Sequence, residues 1–249
     1  MVTIVTLAIG LITGLLLGLV GGGGSILTVP ALIYLLGIGI SPATTISLFV
    51  VGTNAVYGAV RQRGSNLNVS YALALASTGL AGAQIGNWLN RTLPDRLLMA
   101  GFALLMLLVA GLMLRPPKLS NLRNEPAPLK LLWFKVGLIG LGLGFLTGLF
   151  GVGGGFLIVP SLVLLLGFPM RSAAATSLLV IALNSFSALA GRWPLVGFDP
   201  ALAFTLLAAG LVGTTVGAKL AKLIPDKTLR FIFAWVVIAI GIYIAIRTF

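Results

Sequence analysis

Two runs of glycine are the residues best placed to do chemistry in this 249-residue chain. Gly21-Gly22-Gly23-Gly24-Ser25 and Gly151-Val152-Gly153-Gly154-Gly155 each interrupt a long apolar stretch. Glycine lets the backbone leave helical geometry and lets a ligand approach it closely. Where a helix restarts after such a break, its first N–H groups have no intrahelical acceptor and carry about half a positive charge. They can hold an anion without any charged side chain.

Polar side chains recur at matching positions downstream: Asn54 and Asn184, Ser47 and Ser177. An amide inside an apolar span must find a partner. An interhelical hydrogen bond, worth about 0.6 to 2 kcal/mol, and the lining of a polar ligand site account for the asparagines equally well. Thr45 and Thr53 in one copy, and Thr176 and Ser185 in the other, extend that polar set. Gln84, Thr214 and Thr215 are weaker candidates because they sit among closely spaced glycines. Arg61 and Arg192 end their spans as interface anchors, with an entrance for an anion as their second role.

The missing residue types narrow the chemistry further. There is no Cys and no His, and the acidic residues are only Asp95, Glu125, Asp199 and Asp226, all at span ends or in loops. A disulfide framework is excluded, a metal centre has almost no ligands to draw on, and no cofactor motif is present. No Ser-His or paired-Asp set exists for hydrolysis, so the chain reads as a non-enzyme. Proton relays in membranes are normally built from carboxylates or histidines, and none lies in a span. Coupling would have to come through the protonation state of a weak-acid substrate, or transport would be passive.

Composition sets the solvent. Hydrophobic residues make up 59% and charged residues 8% of the chain, against roughly 25% charged in soluble domains. The sequence predicts an all-α polytopic membrane protein whose main partner is the lipid bilayer. Its net charge of +12 lies between apolar segments, as cytoplasmic anchors do, and nucleic acid is not a partner. The apolar N-terminal stretch lacks a basic flank and is expected to be the first span.

The elements that position the glycines come in two copies. Residues 14–60 align without gaps with residues 144–190, with 19 of 47 pairs identical. Gly21/Gly151, Gly23/Gly153, Gly24/Gly154, Pro30/Pro160, Gly37/Gly167 and Asn54/Asn184 are among them. The domains follow as an N-terminal repeat over 1–114, a cytoplasmic linker over 115–132 and a C-terminal repeat over 133–249. Duplicated, glycine-broken apolar segments are the best sequence pointer to a transporter site.

Each half is cut into five apolar pieces. They run Thr3 to Val20, Ser25 to Leu36, Pro42 to Val60, Val69 to Leu89 and Arg96 to Leu114. In the second half they run Trp133 to Phe150, Phe156 to Leu166, Ser172 to Ala190, Pro200 to Lys222 and Thr228 to Ile246. The second piece is short: twelve helical residues rise about 18 Å against a hydrocarbon thickness of about 30 Å. With its break extended it spans the bilayer and each half crosses five times; otherwise it re-enters and each half crosses four times.

Lysine and arginine placement separates the two. Five crossings put twelve of the sixteen cations on the linker side, and four crossings put nine there. The prediction is an inverted repeat with the linker in the cytoplasm and both termini outside. The pairs Gly14/Gly18, Gly144/Gly148, Gly82/Gly86 and Gly213/Gly217 are G-x-x-x-G helix-packing sites. The runs at Gly21 and Gly151 exceed what packing needs and are assigned to function.

The pattern Gly-Leu-x-Gly-Gly-Gly-Gly-Ser-Ile-Leu-Thr-Val-Pro-Ala-Leu, echoed as Gly-Leu-Phe-Gly-Val-Gly-Gly-Gly-Phe-Leu-Ile-Val-Pro-Ser-Leu, resembles the TauE/SafE sulfite-exporter family. The similarity covers essentially the whole chain, including the Leu-Pro-Asp95 and Ile-Pro-Asp226 corners. It implies transport of a small sulfur oxyanion or organosulfonate, such as sulfite or sulfoacetate, across a prokaryotic inner membrane. Related thiosulfate importers carry cysteines in the repeated central loops; this chain has none, which excludes sulfur exchange with the substrate. A passive anion channel and a substrate-free membrane scaffold are the alternatives, and a homo-oligomer is left open.

Overall fold

The structure, a computed structural model, describes residues 2–22, 24–62, 67–90, 92–115, 129–150, 155–191 and 197–248. Among the described residues the elements are ten α-helices with no strand. They are α1 (Val2–Val20), α2 (Gly24–Leu36), α3 (Ile40–Arg61), α4 (Val69–Asn90), α5 (Asp95–Leu114), α6 (Leu129–Phe150), α7 (Gly155–Leu164), α8 (Met170–Ala190), α9 (Pro200–Leu223) and α10 (Asp226–Thr248). Seven of them, α1, α3, α5, α6, α8, α9 and α10, are long and apolar enough to cross a membrane. The chain is a polytopic all-helical membrane protein, and side chains such as Leu104, Leu108 and Ile246 face outward, where lipid tails would solvate them.

Each expected apolar piece is a helix. The largest boundary difference is α6, which starts at Leu129, four residues before Trp133 and inside the stretch expected to be linker. Hydropathy marks where the hydrocarbon begins, whereas Lys130 is a good helix former and can sit in a turn beyond it. The second pieces are short: α2 has 13 residues and α7 has 10. Each is closed by a left-handed glycine, Gly37 (φ 67) and Gly167 (φ 68). The following N–H reaches back in both copies, from Ile38 to the Leu32 carbonyl at 3.2 Å and from Phe168 to that of Leu162 at 3.0 Å. Asp199 caps α9 by accepting from Ala201 N at 2.9 Å and Leu202 N at 3.1 Å, with Pro200 opening the helix.

The halves exchange helices. The first helix of one half packs along the fourth of the other, α1 on α9 and α6 on α4. These contacts are backbone against backbone: a Cβ at Gly14 would strike Gly210, one at Gly18 the Thr214 carbonyl, and one at Gly144 that of Gly79. Gly82 and Gly86 meet Leu141 and Phe145 of α6 in the same way, and Gly213 and Gly217 meet Leu11 and Leu15 of α1. The G-x-x-x-G pairs are therefore packing sites, and only glycine allows this approach.

The contacts also give helix directions. Gly10, Gly14 and Gly18 meet Leu206, Gly210 and Thr214 in order, so α1 and α9 run parallel. Gly52 meets Ser185 while Gly58 meets Leu178, so α3 and its counterpart α8 run antiparallel. The counterparts α5 and α10 are antiparallel too: Gly241 lies against Met106, and Arg230 donates to the Met113 carbonyl. Phe156 at the start of α7 is fully buried and meets Phe102 of α5 edge-on at 5.5 Å, joining the short helix to the main core.

Candidate functional site

The first break adjoins the start of α7. Gly21 follows α1 with a φ of 75, a left-handed conformation that strains any side-chain-bearing residue, and its N–H is bonded to the Leu17 carbonyl at 2.8 Å. A Cβ on Gly22 would lie 2.7 Å from the carbonyl oxygen of Gly155, the first residue of α7. The chain then turns back, and Gly24 starts α2 against Thr13 and Leu17 of α1. The starts of α2 and α7 thus share one neighbourhood, and each brings N–H groups without intrahelical acceptors to it.

Ser177 ties this region to α8. It is fully buried, and its hydroxyl is 2.7 Å from the Gly21 carbonyl and 2.8 Å from the Ala174 carbonyl. Ser47, its counterpart on α3, is also buried. The structure therefore brings together Gly21, Gly22, Gly155 and Ser177. Gly23, Gly151, Gly153, Gly154 and Arg192 lie outside the described residues, as does the side chain of Ser25.

The asparagines sit elsewhere along the bundle. Asn54 is 2% exposed, and its Nδ2 lies against Gly210 of α9. Gly210 packs on Gly14 of α1, seven residues before Gly21, which is about 10 Å along a helix axis. The Oδ1 atoms of Asn54 and Asn184 are buried and have no hydrogen-bond partner among the described residues. Of the hydroxyls in the expected polar set, Thr45 and Thr53 are bonded within their own helix, to the carbonyls of Ser41 at 3.0 Å and Phe49 at 2.8 Å. Thr214 donates to the Gly14 carbonyl at 3.2 Å, and Thr215 shares a 2.8 Å hydrogen bond with Tyr57.

Arg61 is exposed, with its guanidinium carbon 5.4 Å from the Tyr57 ring centroid. Its neighbour Gln62 is the buried residue at this end, 5% exposed, and its Nε2 donates to the Gly18 carbonyl at 3.0 Å. Beside Gln62 a small pocket of about 10 Å³, room for about one water, is bordered by Arg171 of α8 and Lys222 of α9. Sequence reasoning treated Arg171 and Lys222 only as topological anchors. Their signal was a break in the repeat: Arg171 aligns with Ser41, and Gln62 aligns with Arg192.

The arrangement offers the first N–H groups of α2 and α7 near the first break and cations at one end of the bundle. Such donors suit a small oxyanion, whose oxygens accept hydrogen bonds from helix starts.

The chain matches the family model described as "Sulfite exporter TauE/SafE" over residues 6–244. It is 32% identical to a "Probable membrane transporter protein" of Xylella fastidiosa (strain Temecula1 / ATCC 700964) over 259 aligned residues, covering 98% of this chain and 95% of the relative. A protein of the same description from Xylella fastidiosa (strain 9a5c) is 31% identical over the same shares. No solved structure matches the chain.

Proposed function

The chain belongs to the sulfite exporter TauE/SafE family of membrane transporters, and from that membership and the glycine break set against the start of α7 we propose that it exports a small sulfur-containing anion. The substrate class is sulfite or a C2 sulfonate such as sulfoacetate, carried across the cell's inner membrane. The anion is held between the two repeats by backbone N–H groups at Gly21 to Ser25 and Gly151 to Gly155. The contact of Gly22 with Gly155 carries this proposal, since it sets the first break against the start of α7.

The repeats are inverted in this scheme. Antiparallel packing of the counterparts α3 with α8 and α5 with α10 supports an odd number of crossings per half, which counts each short helix with its break as one crossing. Rocking of one repeat against the other then opens the shared site to either side. The linker faces the cytoplasm and both termini face outward, in keeping with the cation count.

Flux of ³⁵S-sulfite in proteoliposomes tests the function. A transporter gives uptake stimulated by substrate on the far side. Flux without that stimulation indicates a passive channel, and neither binding nor flux leaves only a scaffold.

A further inference from the structure

The helices that lead into the breaks bring their negative ends to them. The last carbonyls of a helix have no intrahelical donor and carry about half a negative charge, which repels an anion. α1 closes on the left-handed Gly21, whose N–H is bonded to the Leu17 carbonyl, and Gly24 at the start of α2 lies against Leu17. The negative end of α1 and the positive start of α2 are therefore close neighbours. In the second half Phe102 meets both Phe150 at the end of α6 and Phe156 at the start of α7, with ring centroids 5.4 and 5.5 Å apart, so that end and that start flank one side chain.

Side-chain donors from other helices occupy these carbonyls. The Nε2 of Gln62, at the end of α3, donates to the Gly18 carbonyl at 3.0 Å, and the Ser177 hydroxyl of α8 lies 2.7 Å from that of Gly21. At the end of α6 the Nδ2 of Asn90, from α4, donates to the Leu149 carbonyl at 2.6 Å. Gln62 is 5% exposed, and its own N–H is bonded to the Gly58 carbonyl at 2.9 Å, which fixes where its side chain starts. None of the three donors carries a charge. The alignment pairs Gln62 with Arg192 and Asn90 with Ala221, so the two amides are not copies of one another. Different helices supply an amide to the same kind of carbonyl.

We propose that Gln62 and Asn90, together with Ser177, are positioning residues that set the charge preference of the breaks. By occupying the carbonyls that end α1 and α6, they leave the N–H groups at the starts of α2 and α7 to meet the ligand. The anion then faces donors without facing acceptors. The inference rests on the anion-transport reading and adds how a main chain that carries donors and acceptors in equal number is made selective for one sign. A neutral amide achieves this without the cost of a charge inside the membrane.

Counterflow of ³⁵S-sulfite per folded molecule, with the sulfite-dependent thermal shift of the same preparation, reads the effect. Gln62→Met and Asn90→Leu remove the donor at similar size, and each exposes one carbonyl. The half-saturating sulfite concentration should rise about three- to tenfold in both, the size expected from one helix end, with the maximal rate within about twofold of the unaltered protein. Caps that only hold the fold predict a lowered melting temperature with the half-saturating concentration unchanged. That result in either variant overturns the proposal. Where Gln62→Met folds too poorly to measure, Asn90→Leu, at a half-buried residue, gives the same comparison. Absence of both flux and thermal shift in the unaltered protein overturns the transport reading and this inference together, so the two failures are distinct.

Discussion

Arg230 of α10 donates from Nε and Nη2 to the main-chain carbonyl of Met113 at 3.0 and 2.6 Å, and from Nη2 to that of Arg115. The start of the last helix is thereby fastened to the end of α5, just before the stretch between the halves. Carbonyls at a helix C-terminus lack intrahelical donors, and a cation is the natural group to satisfy them. The contact also brings Arg115 and Arg230 to the same end of the bundle, whereas four crossings per half would separate them.

Because the chain contains no cysteine, single-cysteine labelling can test this placement without background. Arg115→Cys and Lys227→Cys should react with a membrane-impermeant maleimide from one face, and Thr92→Cys from the other. Labelling of Arg115→Cys and Lys227→Cys from opposite faces contradicts an inverted repeat.

Ser177 should matter both to stability and to flux. Ser177→Ala removes a buried donor and leaves the Gly21 carbonyl without it, a loss of about 1 to 3 kcal/mol. A melting temperature lowered by several degrees with reduced flux is expected. An unchanged protein on both counts would show that the hydroxyl does not hold the break.

The asparagines offer a sharper separation of fold from function. A buried, unpaired Oδ1 gives little stability, so an apolar replacement of similar size should be near neutral for folding, within about 1 kcal/mol. If these oxygens or their amides meet the passing substrate, Asn54→Leu and Asn184→Leu raise the half-saturating concentration about tenfold or more. Unaltered transport kinetics in both variants would remove them from the path.

A contrast of two glycines distinguishes packing from site. Gly14→Leu must push α1 off α9 along backbone contacts, so it should lower folded yield and melting temperature together. Its few surviving molecules should bind anion with ordinary affinity, as read by anion-dependent thermal shift. Weakened affinity with full folded yield would place Gly14 in the site instead.

Much of this fold was legible from particular residues. Asp199-Pro200 announces the start of α9, and Gly37 and Gly167 announce the ends of the short helices, because caps and left-handed glycines are local chemistry. The G-x-x-x-G pairs announced close packing but not their partners, since the exchange of α1 and α6 between halves is a tertiary choice. The bond from Ser177 to Gly21 spans 156 residues and has no local signature. The repeat placed Asn54 in the same functional set as the breaks, yet depth along the bundle is not written in an alignment offset. The structure sets it beside Gly210 instead. Arg171 and Gln62 escaped notice because a search for what the halves share passes over positions where they differ.

The central claim is that two breaks make one anion site, and Gly22 is the residue on which it turns. Gly22→Leu places a side chain against the Gly155 carbonyl, where a Cβ alone would approach to 2.7 Å. The direct measurement is ³⁵S-sulfite counterflow in proteoliposomes, with the melting temperature of the same preparation recorded alongside. The account predicts loss of counterflow per folded molecule by about two orders of magnitude, roughly 2.7 kcal/mol at 1.36 kcal/mol per tenfold, together with a lowered melting temperature because the crowded atom is main chain. Counterflow at the unaltered rate in a folded Gly22→Leu protein would contradict it.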